Sequence, residues 1–158
     1  MTVLGISIGT KGTGICVLRD GELIDANVHY YHTPWSDLKL RAIVNQYRHY
    51  VRRYGVTAII IKVPPPINHT PAVRRIMAQV EGLAKQYYCE FDLTTKTEIR
   101  STLSLRSGEI AGFARQLYPE LQAIYEKGAR NGHGYHKKLY EAVLSAYLFQ
   151  QRKRARLL

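Results

Sequence analysis

The chain opens with a strand and a glycine-rich turn, in residues Thr2-Val3-Leu4-Gly5-Ile6-Ser7-Ile8-Gly9-Thr10-Lys11-Gly12-Thr13-Gly14. Apolar side chains as far as Ile8 predict a buried strand, and the glycines that follow allow the backbone to turn tightly into a second strand. Ser7 is therefore expected at the end of a central strand, where the active sites of α/β sheets gather.

The rest of the chain alternates between strand and helix patterns. The run of residues 56–61 is apolar and rich in β-branched side chains, which indicates a strand covered on both faces and parallel to the first. Periodicity and turn residues predict the other elements: a third, antiparallel strand over 22–32, a helix between Ser36 and Gly55, a helix over 71–88, a short strand over 90–93, a short helix within 94–103, a helix over 108–118, a poorly structured segment over 127–135, a last helix from His136 to about Arg152, and a frayed basic tail over 152–158.

Composition indicates one domain with an anionic partner. The chain has 158 residues, and its 23 lysines and arginines against 12 acidic residues give a net charge of +11. Such a charge favours polyanions through counterion release, so nucleic acid is the first expectation. A basic protein whose lysines and arginines are merely solvated is the alternative.

The sequence predicts a cytoplasmic protein without a membrane partner. Its two cysteines, Cys16 and Cys89, form neither a disulfide framework nor a zinc site. Residues 1 and 2 lead directly into strand sequence without an apolar leader, and no apolar run approaches the roughly 18 residues of a membrane span.

Four segments carry most of the information about the family of the chain: GISIGTKGTG (5–14), AIIIKV (58–63), AVRRIMAQVEGLA (72–84) and YEAVLSAYLF (140–149). In this order they resemble the RuvC-type Holliday-junction resolvases, with the YqgF family second. The glycine loop alone is weakly specific, but the four segments in this order are much more so. The resemblance implies an RNase H-like α/β fold: a mixed five-stranded sheet in the order βββαβαβα, with helices on both faces. A homodimer stays open as an alternative.

The family cuts DNA with acidic side chains that hold Mg²⁺, and this chain departs from that pattern. The matching positions carry Ser7 in the first strand and Lys62 in the fourth, and only Glu141 keeps an acid. Lys138 stands where the family often has another acid or a histidine. We therefore expect a Lys62–Glu141 ion pair in place of metal, no cofactor, and no catalytic residue; Mg²⁺ would be needed only by an active nuclease.

DNA is the expected partner, gripped through a basic surface without cleavage. The candidate binding residues are Lys11, Arg74, Arg75, Lys96, Arg100, Lys137 and Lys138.

Three alternatives remain open from the sequence. His133 and His136 have HxxH spacing and, with Glu141, would form a different metal site. A divergent nuclease would instead combine Glu141 with Asp92 or Glu81. The third alternative is a scaffold for dimerisation or a protein partner, without either activity.

Overall fold

The fold is a five-stranded mixed sheet with helices on both faces. The computed structural model describes residues 1–131 and 136–157. The strands stand in the order β3-β2-β1-β4-β5, where β1 is Thr2–Ser7, β2 is Gly12–Arg19, β3 is Glu22–Tyr30, β4 is Ala58–Lys62 and β5 is Glu90–Thr94. Strands β1 to β3 form an antiparallel meander, whereas β4 and β5 run parallel to β1. The predicted fold class is confirmed.

The helices follow the predicted order, with one addition. They are α1 (Asp37–Tyr54), α2 (Pro71–Gln86), α3 (Lys96–Leu103), α4 (Ile110–Leu117), α5 (Leu121–Asn131) and α6 (His136–Leu157). None of the helices in the described part of the chain is long and apolar enough to cross a bilayer.

Each face of the sheet has its own core. Alternate residues of β1 and β4, among them Ile6 and Ile61, pack against α1 and α2. The residues between them, among them Val3 and Ile60, pack against α6 and the helices α3 to α5. Because both faces are covered, β4 needs an apolar side chain at nearly every position, and this explains its uninterrupted run of isoleucines.

Helix α6 lies directly on β1 and β2. A Cβ at Gly5 would lie 2.4 Å from the backbone oxygen of Ala142, and a Cβ at Gly14 would lie 2.3 Å from the backbone carbon of Lys138. Glycine is needed at both positions because any side chain would push the helix away from the sheet. This close approach brings the first turns of α6 to the ends of the central strands.

Two predictions about the last third of the chain were wrong. The segment 127–135 was expected to be the least structured internal stretch. This is wrong for residues 127–131, which belong to α5, and residues 132–135 lie outside the described part. Gly128 does not break this helix; it makes room for the ring of His136, which lies 2.8 Å from the position of a Cβ there. Residues 152–157 were expected to fray, but α6 includes them, and Lys153 forms an ion pair with Glu90 of β5.

Candidate functional site

The candidate site lies where β1 and β4 end beneath α6. Ser7 and Lys62 are the last residues of these two parallel strands and stand opposite each other in register. Both side chains point to the face that α6 covers, and Glu141 reaches them from the second turn of that helix. Three elements distant in sequence thus converge on one buried position.

The predicted ion pair is present at this position. Lys62 Nζ lies 2.7 Å from Glu141 Oε2, and the two side chains are only 11% and 9% exposed. The fully buried Ser7 donates its hydroxyl hydrogen to the same carboxylate oxygen at 3.3 Å. One carboxylate oxygen therefore receives both the ammonium and the hydroxyl.

Lys138 places a second ammonium beside the site, next to the glycine-rich turn between β1 and β2. Lys138 Nζ donates a hydrogen bond to the backbone oxygen of Ile8 at 2.9 Å. It passes over Gly9, where a Cβ would lie 2.7 Å from this nitrogen. Burial, and then the positive charge of Lys62, lower the pKa of Lys138 to about 8, although Glu141 acts in the opposite direction.

A buried chain of hydrogen bonds connects the end of β1 to helix α1. Thr13 donates its hydroxyl hydrogen to the backbone oxygen of Ser7 at 3.0 Å, and Tyr47 of α1 donates to Thr13 Oγ1 at 3.0 Å. Burial raises the pKa of Tyr47 to about 12. These hydrogen bonds could not be predicted from the sequence, because Tyr47 occupies one more apolar position in the pattern of α1 and Thr13 lies in a glycine-rich turn with no signal of its own.

The residues present do not fit a Mg²⁺ ion. Magnesium needs oxygen ligands in an octahedral arrangement, whereas this position offers one carboxylate and one hydroxyl beside an ammonium. At 4 Å and an effective dielectric constant of 20, a unit charge pair interacts by about 4 kcal/mol, and the repulsion between an ammonium and a divalent ion is about twice that. Across residues 1–131 and 136–157, no three His, Cys, Asp or Glu side chains are grouped as a metal site requires.

The alternative metal ligands are dispersed. Glu81 is exposed on α2, on the other side of the sheet, where it pairs with Lys85. Asp92 is exposed on the edge strand and accepts a hydrogen bond from the backbone N–H of Leu93. His133 lies outside the described residues, and His136 packs against Gly128 of α5.

The predicted DNA-binding residues form two separate groups. Lys96 and Lys137 are exposed and line, together with Glu141 and Tyr140, a cavity of about 160 Å³ beside the ion pair. Lys138 lies in the site itself, and Lys11 is exposed in the turn between β1 and β2. We call Lys11, Lys96, Lys137 and Lys138 the strand-end surface.

The second group consists of Arg74 and Arg75, which are exposed on α2, on the opposite face of the sheet. Arg100 belongs to neither group and is half-buried on α3.

Comparison with solved structures identifies the architecture. RuvC from Thermus thermophilus, solved in complex with a Holliday junction substrate, superposes with a TM-score of 0.70 at 16% identity, covering 92% of this chain and 90% of that one. A second structure of T. thermophilus RuvC gives a TM-score of 0.69 at 15% identity, with 92% and 91% covered. No protein-family model matches the sequence, and no curated protein is similar enough to match. At these identities the likeness concerns the fold.

Proposed function

We propose that this chain, which has the RuvC fold, grips branched or duplex DNA through its strand-end surface and does not cut it. The observation that carries the proposal is the buried ion pair between Lys62 and Glu141. It fills the position at which the RuvC-type nucleases are expected to gather metal-binding carboxylates.

The absence of cleavage is inferred from the charge of this position. Two-metal phosphodiester cleavage requires several oxygen ligands to hold the ions on both sides of the scissile phosphate. Here the surviving carboxylate is already neutralised at 2.7 Å, and Lys138 adds a second ammonium nearby. An entering metal would have to displace Lys62 and leave an ammonium buried without a partner, which costs about 3–5 kcal/mol.

The grip on DNA is inferred from the cations that surround this position. Lys11, Lys96 and Lys137 are exposed around the strand ends, and lysine ammonium groups bind phosphates as point charges. The net charge of +11 favours association with any polyanion. A four-way junction is the first ligand to test, since RuvC of the same fold was solved with a Holliday junction.

Binding is tested by titrating labelled four-way junction, duplex and single-stranded DNA at increasing salt. If about five phosphates are contacted, log K should fall against log salt with a slope of roughly −4 to −5. The Lys96→Gln/Lys137→Gln variant should bind more weakly with a shallower slope, whereas Arg154→Gln/Arg156→Gln, which removes two exposed charges from the far end of α6, is the matched control. No binding at low salt would favour the scaffold alternative.

Cleavage is tested with the same substrates in Mg²⁺ or Mn²⁺. We expect no product, and we expect chelation of the metal to leave the affinity unchanged at constant ionic strength. Metal-dependent turnover that disappears in Glu141→Gln would establish the divergent nuclease instead.

A further inference from the structure

The outer face of α1 carries a row of arginines that the candidate site does not use. Arg41, Asn45, Arg48 and Arg52 follow one another at intervals of four, three and four residues, so they share one side of the helix. Arg41 and Arg52 are exposed, and at 1.5 Å per residue they span about 16 Å of the helix axis.

This row borders two shallow depressions that share Asn45 and Arg48. The first, of about 320 Å³, lies between α1 and α2 and is also lined by Arg41 and Arg75. The second, of about 560 Å³, continues along α1 between His49, Arg52 and Arg53. We call the cations that line the two depressions, with Asn45 between them, the α1 arginine surface: Arg41, Arg48, Arg52, Arg53 and Arg75.

Most of the charges of this surface are not balanced by acids. Asp37 is the one acid among the described residues that line the two depressions, and it already pairs with Arg75 at 2.5 Å. Arg48 and Arg52 are like charges four residues apart, an arrangement that weakens an isolated helix. A solvated helix face that stabilises itself would alternate charges of opposite sign.

A nucleic-acid backbone fits this surface better than a protein does. Protein interfaces are centred on buried apolar or aromatic anchors, and Leu38, the exposed large apolar residue of α1, does not line either depression. Duplex DNA presents one phosphate per 3.4 Å on each strand, so the 16 Å row faces about five phosphates of one strand. Arginine also binds phosphate in a bidentate manner, which fixes a backbone in place.

We infer that the α1 arginine surface is a second DNA-binding surface and that it holds a second duplex segment. Helices α1 and α2 cover one face of the sheet, whereas α6, which carries Lys137 and Lys138, covers the other. One short segment therefore cannot contact both surfaces as a single site. The inference shares with the proposed function the class of ligand, but it does not depend on binding at the strand ends.

The test measures how many short duplexes one chain holds. Sedimentation of the full chain with a 12-base-pair duplex gives the stoichiometry, and energy transfer between two differently labelled duplexes reports bridging. Three variants each remove two exposed cations: Arg41→Gln/Arg52→Gln on the inferred surface, Lys96→Gln/Lys137→Gln at the strand ends, and Arg154→Gln/Arg156→Gln as control.

We expect two duplexes per wild-type or control chain, with energy transfer between them. Arg41→Gln/Arg52→Gln should bind one duplex, lose the transfer, and weaken the second binding event at least tenfold at 0.1 M salt, since two phosphate contacts account for about 1.8 of the salt slope.

The outcomes separate the two proposals. If Arg41→Gln/Arg52→Gln behaves like the control while the strand-end variant loses its duplex, the second surface is refuted and the proposed function stands. If only the α1 variant loses a duplex, the second surface stands and the strand-end grip fails. The inference would also be refuted, in favour of a protein partner, if the α1 surface bound an acidic protein or polyglutamate but no DNA. In that case Arg41→Gln/Arg52→Gln would weaken binding of the acidic polymer and leave DNA binding unchanged.

Discussion

At the scale of single residues, Lys62 does in this chain what a bound cation would do: it compensates the charge of Glu141. The two groups are nearly excluded from solvent, and Ser7 adds a hydrogen bond to the same oxygen. Removing only one partner of such a buried pair strongly destabilises the folded protein, because the remaining charge is left without compensation. Replacing both partners by apolar residues is much less costly.

This asymmetry can be measured with a double-mutant cycle. We expect Glu141→Leu to lower the free energy of unfolding by about 3 kcal/mol, since it leaves the Lys62 ammonium buried without a partner, and Lys62→Met/Glu141→Leu to cost considerably less. Urea denaturation of the wild type, Lys62→Met, Glu141→Leu and the double variant gives the coupling energy.

The chain contains a matched control for that cycle. Lys85 and Glu81 are also a lysine–glutamate pair, but their side chains are 79% and 53% exposed and the charged atoms lie 3.9 Å apart. Their coupling should be about 0.3–0.5 kcal/mol. Equal coupling in the two pairs, or additive effects at Lys62 and Glu141, would contradict the account of the buried pair.

Lys138 should make stability depend on pH. Its pKa is lowered from 10.5 to about 8 in the folded protein, so between these values the unfolded chain binds more protons than the folded chain does. The contribution of Lys138 to the free energy of unfolding therefore rises with pH across that interval. Urea denaturation at pH 7 and pH 9 should show the wild type gaining unfolding free energy relative to Lys138→Met.

Lys137→Met, which changes the exposed neighbouring residue on α6, serves as the control and should show no such gain. The titrations of Cys16 and the tyrosines occur in all three proteins and therefore cancel in the differences. A wild type that loses stability relative to Lys138→Met between pH 7 and pH 9 would contradict the lowered pKa of Lys138 in the folded protein.

At the scale of elements, the contact between α6 and β1 positions the site. We expect Gly5→Ala to destabilise the protein by about 1–3 kcal/mol, because its Cβ would meet the Ala142 carbonyl at 2.4 Å and the helix would have to move. Gly82→Ala is the contrasting substitution: Gly82 lies within α2 with nothing within 4 Å of a Cβ, so alanine there should stabilise by about 0.5–1 kcal/mol. Thermal denaturation distinguishes the two signs, and destabilisation by both would show that helix packing is not the cause.

Elements whose signals are local were predicted correctly from the sequence. Ser36 caps α1 by accepting a hydrogen bond from the Lys39 N–H, and Gly55 ends that helix in the left-handed conformation with φ of 61°. Helix α5 was missed because its Gly128 reads as a breaker, and only the ring of His136 beside it explains the glycine. The last turns of α6 were missed because the ion pair of Lys153 with Glu90 joins residues far apart in sequence.

At the scale of the whole molecule, the convergence of Ser7, Lys62 and Glu141 was predicted from the resemblance to the RuvC-type resolvases, but the surroundings of that site were not. The hydrophobic pattern alone indicates where the strands end, and the register of β1 and β4, which places Ser7 opposite Lys62, is seen only in the structure. The bond of Lys138 to Ile8 and the Thr13–Tyr47 chain depend on the packing of α6 and α1. The division of the basic residues between the two faces of the sheet likewise requires the three-dimensional arrangement.

The net charge itself should affect stability. With +11 on 158 residues, mutual repulsion opposes folding at low salt, and added salt screens it. We expect the thermal midpoint to rise by a few degrees between 20 and 200 mM NaCl, since about 1 kcal/mol corresponds to roughly 2–4 °C in a domain of this size. The rise should be smaller in Arg154→Gln/Arg156→Gln, which carries two fewer positive charges, and a falling midpoint would mean that ion pairs outweigh the repulsion.

The distance along the chain between Ser7 and Glu141 has a consequence for folding kinetics. These residues are 134 positions apart, so their contact forms only after a very long loop has closed. Interactions absent from the transition state alter the rate of unfolding and leave the rate of folding nearly unchanged. We therefore expect this contact to form late, so that substitutions at Lys62 or Glu141 change the rate of unfolding, and with it the lifetime of the folded molecule, more than the rate of folding.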